Sequence, residues 1–459
     1  MENESRTLTF RFGKFGKFVP LLVAVGFIVI AALNQSNVNG YVVAFFMAII
    51  FGVLFAKDEK AYGEAVVSGL SKPMFSVVAM AIILASISGK LVSSSGLVQT
   101  LSYFVIKAGF TGRLFVAFTF AITSLLSFST GTSVGTYFVV IPILFPVGVM
   151  AGASPEFMIG SIVAGAAFGD NLAPISDTTI ASAGTQEADL GGVVKSRVKY
   201  SIPVALIAFV LYLVFAGFGN GGGEAISLAN EIKGVNTVSL VMLLVPLVII
   251  VLCSLKKHLV TALSVGAIVG MIAGVASGLF NFSSLLHFPG GFKVEGLIID
   301  SITGCMGTVA MLVGIFSLLG IIEKSGLISD VGVILEKLSK GEKSSEFTIV
   351  TSIGILSMIT GVISVAMVSL GDLINSIGNK IGTDRYRRAN LMDCSGVVFC
   401  FLSPWTVHCV IPAQLTTGFG EAFMVNPASI PLHNFYSLVM AAMLVFAILT
   451  GYGRGKGAV

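Results

Sequence analysis

Long apolar runs separated by short polar segments follow one another along the whole chain. Clear examples are residues 18–32, 41–56, 239–253 and 438–449. A helix needs roughly 20 mainly apolar residues to cross a bilayer, so each of these runs approaches the length of one span. The pattern predicts an all-α polytopic membrane protein with roughly 11 to 14 spans.

The composition indicates the same surroundings. Of the 459 residues, 55% are hydrophobic and 11% are charged, with a mean hydropathy of +0.97, whereas soluble domains carry about 25% charged residues. The net charge of +4 is small, so we expect the lipid bilayer as a partner and no nucleic acid. The five cysteines form no CxxC pair, which argues against a zinc site or disulfides, and we expect no cofactor.

The chain contains an internal repeat. Four landmarks of the first half return 230 positions later: Ser127 and Ser357, Gly131 and Gly361, Pro174 and Pro404, and the Ser-Gly-Leu tripeptides at 95–97 and 325–327. We therefore predict a first repeat (1–218), a glycine-rich linker (219–235) and a second repeat (236–459). Repeats with interrupted hydrophobic segments at matching positions are typical of secondary transporters, and the interruptions mark their binding site.

The distribution of basic residues predicts that the two repeats are inverted. Cytoplasmic loops are enriched in Lys and Arg, which places the basic N-terminal segment and the basic residues of 195–199 in the cytoplasm. In the second repeat, Arg385, Arg387 and Arg388 stand 230 positions after Pro155, Phe157 and Met158 of the acidic outer loop, and the loop 425–432 has no charge. One loop, 337–343, is lysine-rich where the scheme expects an outer loop. Both termini are predicted to be cytoplasmic.

Each repeat also contains a segment with two apolar legs that turns at its Ser-Gly pair, at 74–106 and 302–335. The periodicity leaves open whether these legs cross the membrane fully or form re-entrant hairpins. The longer segments that follow them are expected to be interrupted helices. A polar break at membrane depth is tolerated where it is buried in protein or lines a cavity.

Polar side chains crowd around both interruptions of the first repeat. The candidate cation- and proton-binding residues there are Thr130, Thr132, Ser133, Asp170, Asn171, Ser176 and Asp177. We expect Na⁺ to bind through Thr132, Asp170 and Asn171. A carboxyl group at membrane depth can exchange a proton for a cation, because desolvation favours its neutral form and a bound cation its charged form. The alternatives are hydroxyls that bond their own helix carbonyls and Asp177 as a helix N-cap.

The second repeat has different chemistry at the matching positions. Asp170 corresponds to Cys400 and Asn171 to Phe401, so we expect the cation site to lie mainly in the first repeat. The candidate substrate-binding residues of the second repeat are Thr360, Ser403, Trp405 and His408. An aromatic wall for an organic solute and simple helix packing are both compatible with these residues. His408 could carry protons or be structural.

Several motifs resemble the NhaC family of sodium/proton antiporters. They are TGTSVGT (130–136), AGAAFGDNLAPISDTTIAS (164–182) and, more weakly, GDL (371–373), MDCSG (392–396) and SPW (403–405). The resemblance implies a bacterial inner-membrane, multi-pass secondary transporter of the wider ion-transporter superfamily. It also implies that Asp372 and Asp393 act with Asp170, Ser176 and Asp177 in binding cations and protons.

The chain departs from the family pattern at Val134, Leu373 and Met392, where the family often has tryptophan, glutamine and glutamate. Some relatives are similar to malate/lactate exchangers or amino-acid carriers, so the resemblance leaves the substrate open.

The function we expect is cation-coupled secondary transport with Na⁺ and/or H⁺ as coupling ions, and Na⁺/H⁺ antiport in particular. The alternative is Na⁺- or H⁺-coupled transport of an amino acid or small organic acid. A membrane-embedded enzyme is a third hypothesis, but no HExxH or paired-histidine pattern supports it, and we expect no enzymatic activity. A homodimer is compatible with the sequence, which does not define the oligomeric state.

Overall fold

This computed structural model describes residues 8–13, 15–34, 36, 38–217, 235–328, 330, 339 and 341–454. Residues 219–234 of the predicted linker lie outside the described residues, as do parts of the loop 337–343 and of the second two-legged segment. The division of the chain at the linker therefore stays a prediction. The described residues are almost entirely helical.

Ten α-helices belong to the described part of the first repeat: α1 Val19–Leu33, α2 Val38–Val53, α3 Glu59–Leu70, α4 Pro73–Ser94, α5 Leu97–Lys107, α6 Gly112–Thr130, α7 Ser133–Met150, α8 Pro155–Leu172, α9 Asp177–Thr185 and α10 Leu190–Phe215.

Ten more follow in the described part of the second repeat: α11 Leu244–Ser254, α12 Leu259–Ala276, α13 Phe282–Leu285, α14 Leu297–Lys324, α15 Glu342–Thr360, α16 Ile363–Ile381, α17 Arg385–Phe401, α18 Val407–Thr416, α19 Ile430–His433 and α20 Phe435–Thr450. A two-stranded antiparallel hairpin, β1 His287–Gly290 and β2 Lys293–Glu295, precedes α14. Short 3₁₀ helices occupy Gly16–Phe18, Thr237–Leu243, Thr417–Phe419 and Glu421–Phe423.

The protein is a multi-pass membrane protein. Within the described residues, seven helices are long and apolar enough to cross a membrane, and four shorter apolar helices accompany them. The seven and the four together reach the lower end of the predicted range of spans. The predicted all-α polytopic fold is therefore confirmed.

The first predicted interruption is a hairpin tip and not a gap in one continuous span. The N–H of Gly112, at the start of α6, donates to the carbonyl of Ala151, which follows α7 (3.1 Å). The two helices must therefore fold back on each other, and they turn at Gly131, whose φ of +66° is a left-handed conformation that glycine adopts readily. An α6 of 19 residues is about 28 Å long, and Gly131 at its end is buried.

The second repeat has the same turn. α15 and α16 meet at Gly361, whose φ is +68°. The second interruption is a true helix break in both repeats, as predicted. α8 ends at Leu172 and α9 begins at Asp177, while α17 ends at Phe401 and α18 begins at Val407.

The two-legged segment of the first repeat consists of one long and one short helix. α4 has 22 residues, enough to span about 33 Å. The chain then turns at Gly96, with φ +81°. α5 has 11 residues and reaches only about 16 Å, which is too short for a full crossing. In the second repeat, α14 likewise ends just before Gly326, with φ +68°.

Helices of each repeat pack against helices of the other repeat, and the two sets of contacts match. α7 packs against α18, and its counterpart α16 packs against α9; α6 packs against α8 as α15 packs against α17. A two-fold relation between the halves produces this exchange, and the inverted orientation itself stays a prediction. α4 and α14 also pack against each other. Together they form a wall beside the helices named above.

Candidate functional site

A small cavity lies where the hairpin tips and helix breaks of both repeats meet. Its volume is about 40 Å³, and a single water needs about 10–15 Å³ measured in this way. The cavity can therefore hold a small ion with very few waters. It is lined by the two hairpin tips, both helix breaks and the wall of α4 and α14. We call it the central cavity. Its polar lining residues are Thr132, Ser133, Asp170, Asp177, Thr178, Ser364 and His408.

Asp170 is the buried carboxylate of the central cavity. It is 7% exposed and lies in the last turn of α8. Its Oδ2 accepts a hydrogen bond from the backbone N–H of Ser133 (3.2 Å), and its Oδ1 has no hydrogen-bond partner among the described residues. Ser133 is the first residue of α7, so the positive end of that helix faces the carboxylate. A buried oxygen without a partner is costly, and a bound cation or proton would supply one.

Thr132 lines the same cavity next to Asp170. Its Oγ1 accepts the N–H of Gly135 (3.3 Å) and so caps α7, while its carbonyl accepts the hydroxyl of Thr136 (2.7 Å). Thr130 lies at the end of α6 and contacts Thr136 (3.2 Å between hydroxyls), but it is not part of the cavity lining. The turn between α6 and α7 thus places Thr132 and Ser133 beside Asp170, whereas the Thr130 hydroxyl hydrogen-bonds to residues near it in the sequence.

Ser176, and not Asp177, caps α9. The Ser176 hydroxyl accepts the N–H of Thr178 (3.3 Å), so the alternative of Asp177 as the N-cap was wrong. Asp177 is the first residue of α9 and is exposed at the edge of the central cavity. A carboxylate in the first turn is stabilised by the helix dipole. This position puts a second negative charge at the cavity edge.

His408 connects the second repeat to the same cavity. Its ring stacks on Phe401 with centroids 3.8 Å apart. Its Nδ1 lies 3.5 Å from the hydroxyls of both Ser133 and Tyr137. His408 was predicted to belong to a separate substrate site, whereas the structure places it beside the residues of the first repeat.

Asn171 faces away from the central cavity into a second, fully buried polar cluster. Its Oδ1 accepts the hydroxyls of Ser201 (2.7 Å) and Tyr436 (3.0 Å). Its Nδ2 donates to Asp393 Oδ1 (3.3 Å). Consecutive helix residues point about 100° apart, so Asp170 and Asn171 serve different clusters. The predicted Na⁺ ligand Asn171 therefore does not line the central cavity.

Asp393 forms a buried ion pair with Arg197, and both side chains are 0% exposed. Arg197 also donates to the Asn171 carbonyl, to Thr179 Oγ1 (2.8 Å) and to Asn390 Oδ1 (3.0 Å). Asp393 was predicted to bind cations, but here an arginine already neutralises its charge. The cluster instead holds α8, α9, α10 and α17 together behind the central cavity.

The remaining candidates lie outside the central cavity. Asp372 is exposed on α16. The Thr360 hydroxyl donates to the Leu356 carbonyl (2.8 Å) and the Ser403 hydroxyl to the Phe399 carbonyl (2.6 Å), as the helix-bonding alternative expects. The indole Nε1 of half-buried Trp405 donates to the Met358 carbonyl (2.9 Å). None of these four residues lines the central cavity.

Sequence reasoning missed Arg197, which was counted as a cytoplasmic loop charge. Its spacing from Val193, Tyr200 and Val204, all buried on α10, follows the helical period and was the available signal. Arg387 and Arg388 are also buried. The charge-based orientation of the repeats therefore rested in part on arginines that lie inside the protein.

Residues 131–135, GTSVG, match the GxSxG pattern of serine hydrolases, another feature that sequence reasoning missed. That pattern requires a serine on a strand-to-helix turn, whereas Ser133 follows a helix-to-helix turn. The arrangement gives no support to hydrolysis.

Known transporters are similar to this chain in sequence. Residues 5–218 match the family model described as the Na⁺/H⁺ antiporter family. The chain is 27% identical over 387 residues to the Malate-2H(+)/Na(+)-lactate antiporter of Bacillus subtilis, which covers 79% of this chain and 80% of the relative. It is 25% identical over 387 residues to the Na(+)/H(+) antiporter NhaC of Alkalihalophilus pseudofirmus, with 80% and 81% covered. It is 23% identical over 463 residues to the Na(+)/H(+) antiporter NhaC of Bacillus subtilis, with 95% and 97% covered. The first half of the chain therefore matches the Na⁺/H⁺ antiporter family, and most of its length is similar to NhaC proteins.

Proposed function

We propose that this protein is a cation-coupled antiporter that exchanges Na⁺ for H⁺, with Asp170 binding the two ions in turn. The observation that carries the proposal is the Asp170 carboxylate. One of its oxygens is held by the α7 N-terminus, and the other has no partner among the described residues beside a cavity built by both repeats. Ionisable groups in such positions mark ion pathways in membrane proteins.

The exchange follows from competition for one carboxylate. Na⁺ binds the ionised form and H⁺ the neutral form, so the ions exclude each other. Thr132 and Ser133 supply further oxygens next to Asp170. Asp177 adds a negative charge at the cavity edge, which attracts cations towards it.

The size and lining of the central cavity favour ions over an organic solute at this place. A volume of about 40 Å³ is far below the roughly 300–1,000 Å³ of pockets for larger organic ligands. At the aromatic break of the second repeat, the indole of Trp405 donates to the Met358 carbonyl. Ser403 bonds its own helix.

We place the protein in the bacterial cell membrane with both termini in the cytoplasm. The basic N-terminal segment supports this orientation, since cytoplasmic segments are enriched in Lys and Arg. The names of the NhaC relatives support transport of Na⁺ and H⁺ by this chain.

The test is proton movement in liposomes that contain the purified protein and an internal pH dye, under an imposed sodium gradient and without any organic solute. Wild-type protein should move protons only when Na⁺ is present. Asp170→Asn removes the charge at nearly constant shape and should reduce the signal to that of protein-free liposomes. Asp372→Asn makes the same chemical change at an exposed position of α16 and should keep the activity. Sodium-driven proton movement that persists in Asp170→Asn would refute the assignment of Asp170.

A further inference from the structure

A second and larger cavity lies between α4, α7, α14 and α18. Its volume is about 230 Å³, several times that of the central cavity. Two side chains of opposite charge line it, Lys90 from α4 and Asp300 from α14. We call it the Lys90 cavity.

The Lys90 cavity is separate from the central cavity, although the same wall borders both. Met74 and Val78 of α4 line the central cavity, whereas residues 85–93 of α4 line the Lys90 cavity. Between Val78 and Gly89 the helix rises about 16 Å. On α14, Phe316 lines the first cavity and residues 300–305 the second. The two sites therefore lie at different depths along one wall.

The two charges of the Lys90 cavity do not neutralise each other. Among the described residues, neither the Lys90 ammonium nor the Asp300 carboxylate has an ion-pair or hydrogen-bond partner, although both line the same space. Lys90 is half-buried and Asp300 is exposed, so both charged groups are accessible to a solute that enters the cavity. A bound solute with both signs of charge would pair both groups at once.

The other lining residues leave space for such a solute, and a hydrogen bond holds two of the lining helices together. Gln414 of α18 donates to the carbonyl of Gly304 on α14 (3.2 Å), which joins these two walls. Gly304 and Gly418 both line the cavity. A Cβ at either glycine would meet no atom within 4 Å, so the space beside them is open.

We propose that the Lys90 cavity binds a small zwitterion of the amino-acid class, with its carboxylate on Lys90 and its ammonium group on Asp300. A dicarboxylate would be repelled by Asp300, and a diamine would be repelled by Lys90. The site goes beyond the exchange of Na⁺ for H⁺ and does not involve Asp170.

Binding is tested on the purified full-length protein in detergent and sodium-free choline buffer. The thermal unfolding midpoint is measured with each of the protein amino acids at millimolar concentration. At least one amino acid with an uncharged side chain should raise the midpoint. Its deaminated acid and its decarboxylated amine should not, since each lacks one of the two charges. If no amino acid raises the midpoint, or if either analogue acts equally well, the proposal is overturned.

Substitutions then assign the contacts by isothermal titration with the amino acid that stabilises most. Lys90→Met and Asp300→Asn should each weaken its affinity about 10- to 100-fold, the effect of losing one charged hydrogen bond. Lys107→Met, at an exposed lysine of α5, should leave the affinity unchanged. Gly304→Leu keeps both charges but fills the cavity, and it should abolish binding. Unchanged affinity in Lys90→Met and Asp300→Asn would place the solute elsewhere.

The liposome assay separates this proposal from the antiport function. Lys90→Met should retain sodium-driven proton movement, because Lys90 does not line the central cavity. Loss of that movement would assign Lys90 to the ion pathway and overturn a separate zwitterion site. If the wild-type protein moves no protons under a sodium gradient but still binds the amino acid, only the Na⁺/H⁺ exchange is refuted.

Discussion

Replacing Arg197 by methionine tests the buried cluster behind the central cavity. The substitution keeps a long, flexible apolar side chain and removes the guanidinium group. That group contacts Asp393, the Asn171 carbonyl and Thr179. Among the described residues, Asp393 would keep Asn171 Nδ2 at 3.3 Å and Thr179 Oγ1 at 3.4 Å as donors. Two neutral donors would then have to stabilise a fully buried carboxylate.

The expected loss is large because the charge that remains is uncompensated. Removing one partner of a buried ion pair costs about 3–5 kcal/mol. Both partners here are 0% exposed, so water cannot replace the lost contact without opening the helix packing. The carbonyl of Asn171 would also lose its donor, at about 1–3 kcal/mol for an unsatisfied buried group. These contributions overlap, and we expect a total of about 4 kcal/mol in the free energy of unfolding.

The charge contribution is isolated by a double-mutant cycle. Arg197→Met, Asp393→Asn and the double variant are purified in the same detergent, and their unfolding midpoints are compared with that of the wild type. The double variant buries no unpaired charge and should be more stable than Arg197→Met alone. A coupling of about 1–3 kcal/mol is expected for residues in direct contact.

Two outcomes would refute this reasoning. If Arg197→Met unfolds at the wild-type midpoint, the ion pair does not stabilise the core. If the double variant is at least as unstable as Arg197→Met, the loss comes from packing and neutral hydrogen bonds, and the charge on Asp393 is not its cause.

Two further predictions concern helix packing. A Cβ at Gly169 would lie 2.5 Å from the N atom of Phe128 and from the Ser124 carbonyl oxygen, so Gly169→Ala should separate α8 from α6. The variant should lower the unfolding midpoint by the equivalent of about 1–3 kcal/mol and reduce sodium-driven proton movement. Gly184→Ala is its control, because a Cβ there meets nothing within 4 Å; equal midpoints for the two variants would contradict the close packing. Trp405→Ala should cost up to about 3 kcal/mol of stability and leave the apparent Na⁺ affinity in the liposome assay unchanged. A changed affinity would return the indole to the ion site.

Much of the fold could be predicted from local sequence alone. Apolar runs of span length, the repeat of 230 positions and the interruptions at Gly131 and Pro174 are all visible in the sequence. They correspond to helix ends in the structure because glycine permits a left-handed turn and proline lacks the N–H that continues a helix. Asp170 was also identifiable, since a carboxylate within an apolar segment is rare unless it is functional.

The sequence alone could not determine which polar groups meet. Whether the chain at Gly131 continues or folds back depends on packing between α6, α7 and α8. The partners of Asn171, Asp393 and His408 come from helices far away in the chain. Local composition identifies a residue that is costly to bury, but only the assembled helices decide what compensates that cost. That is why an arginine neutralises Asp393, while one oxygen of Asp170 has no partner among the described residues.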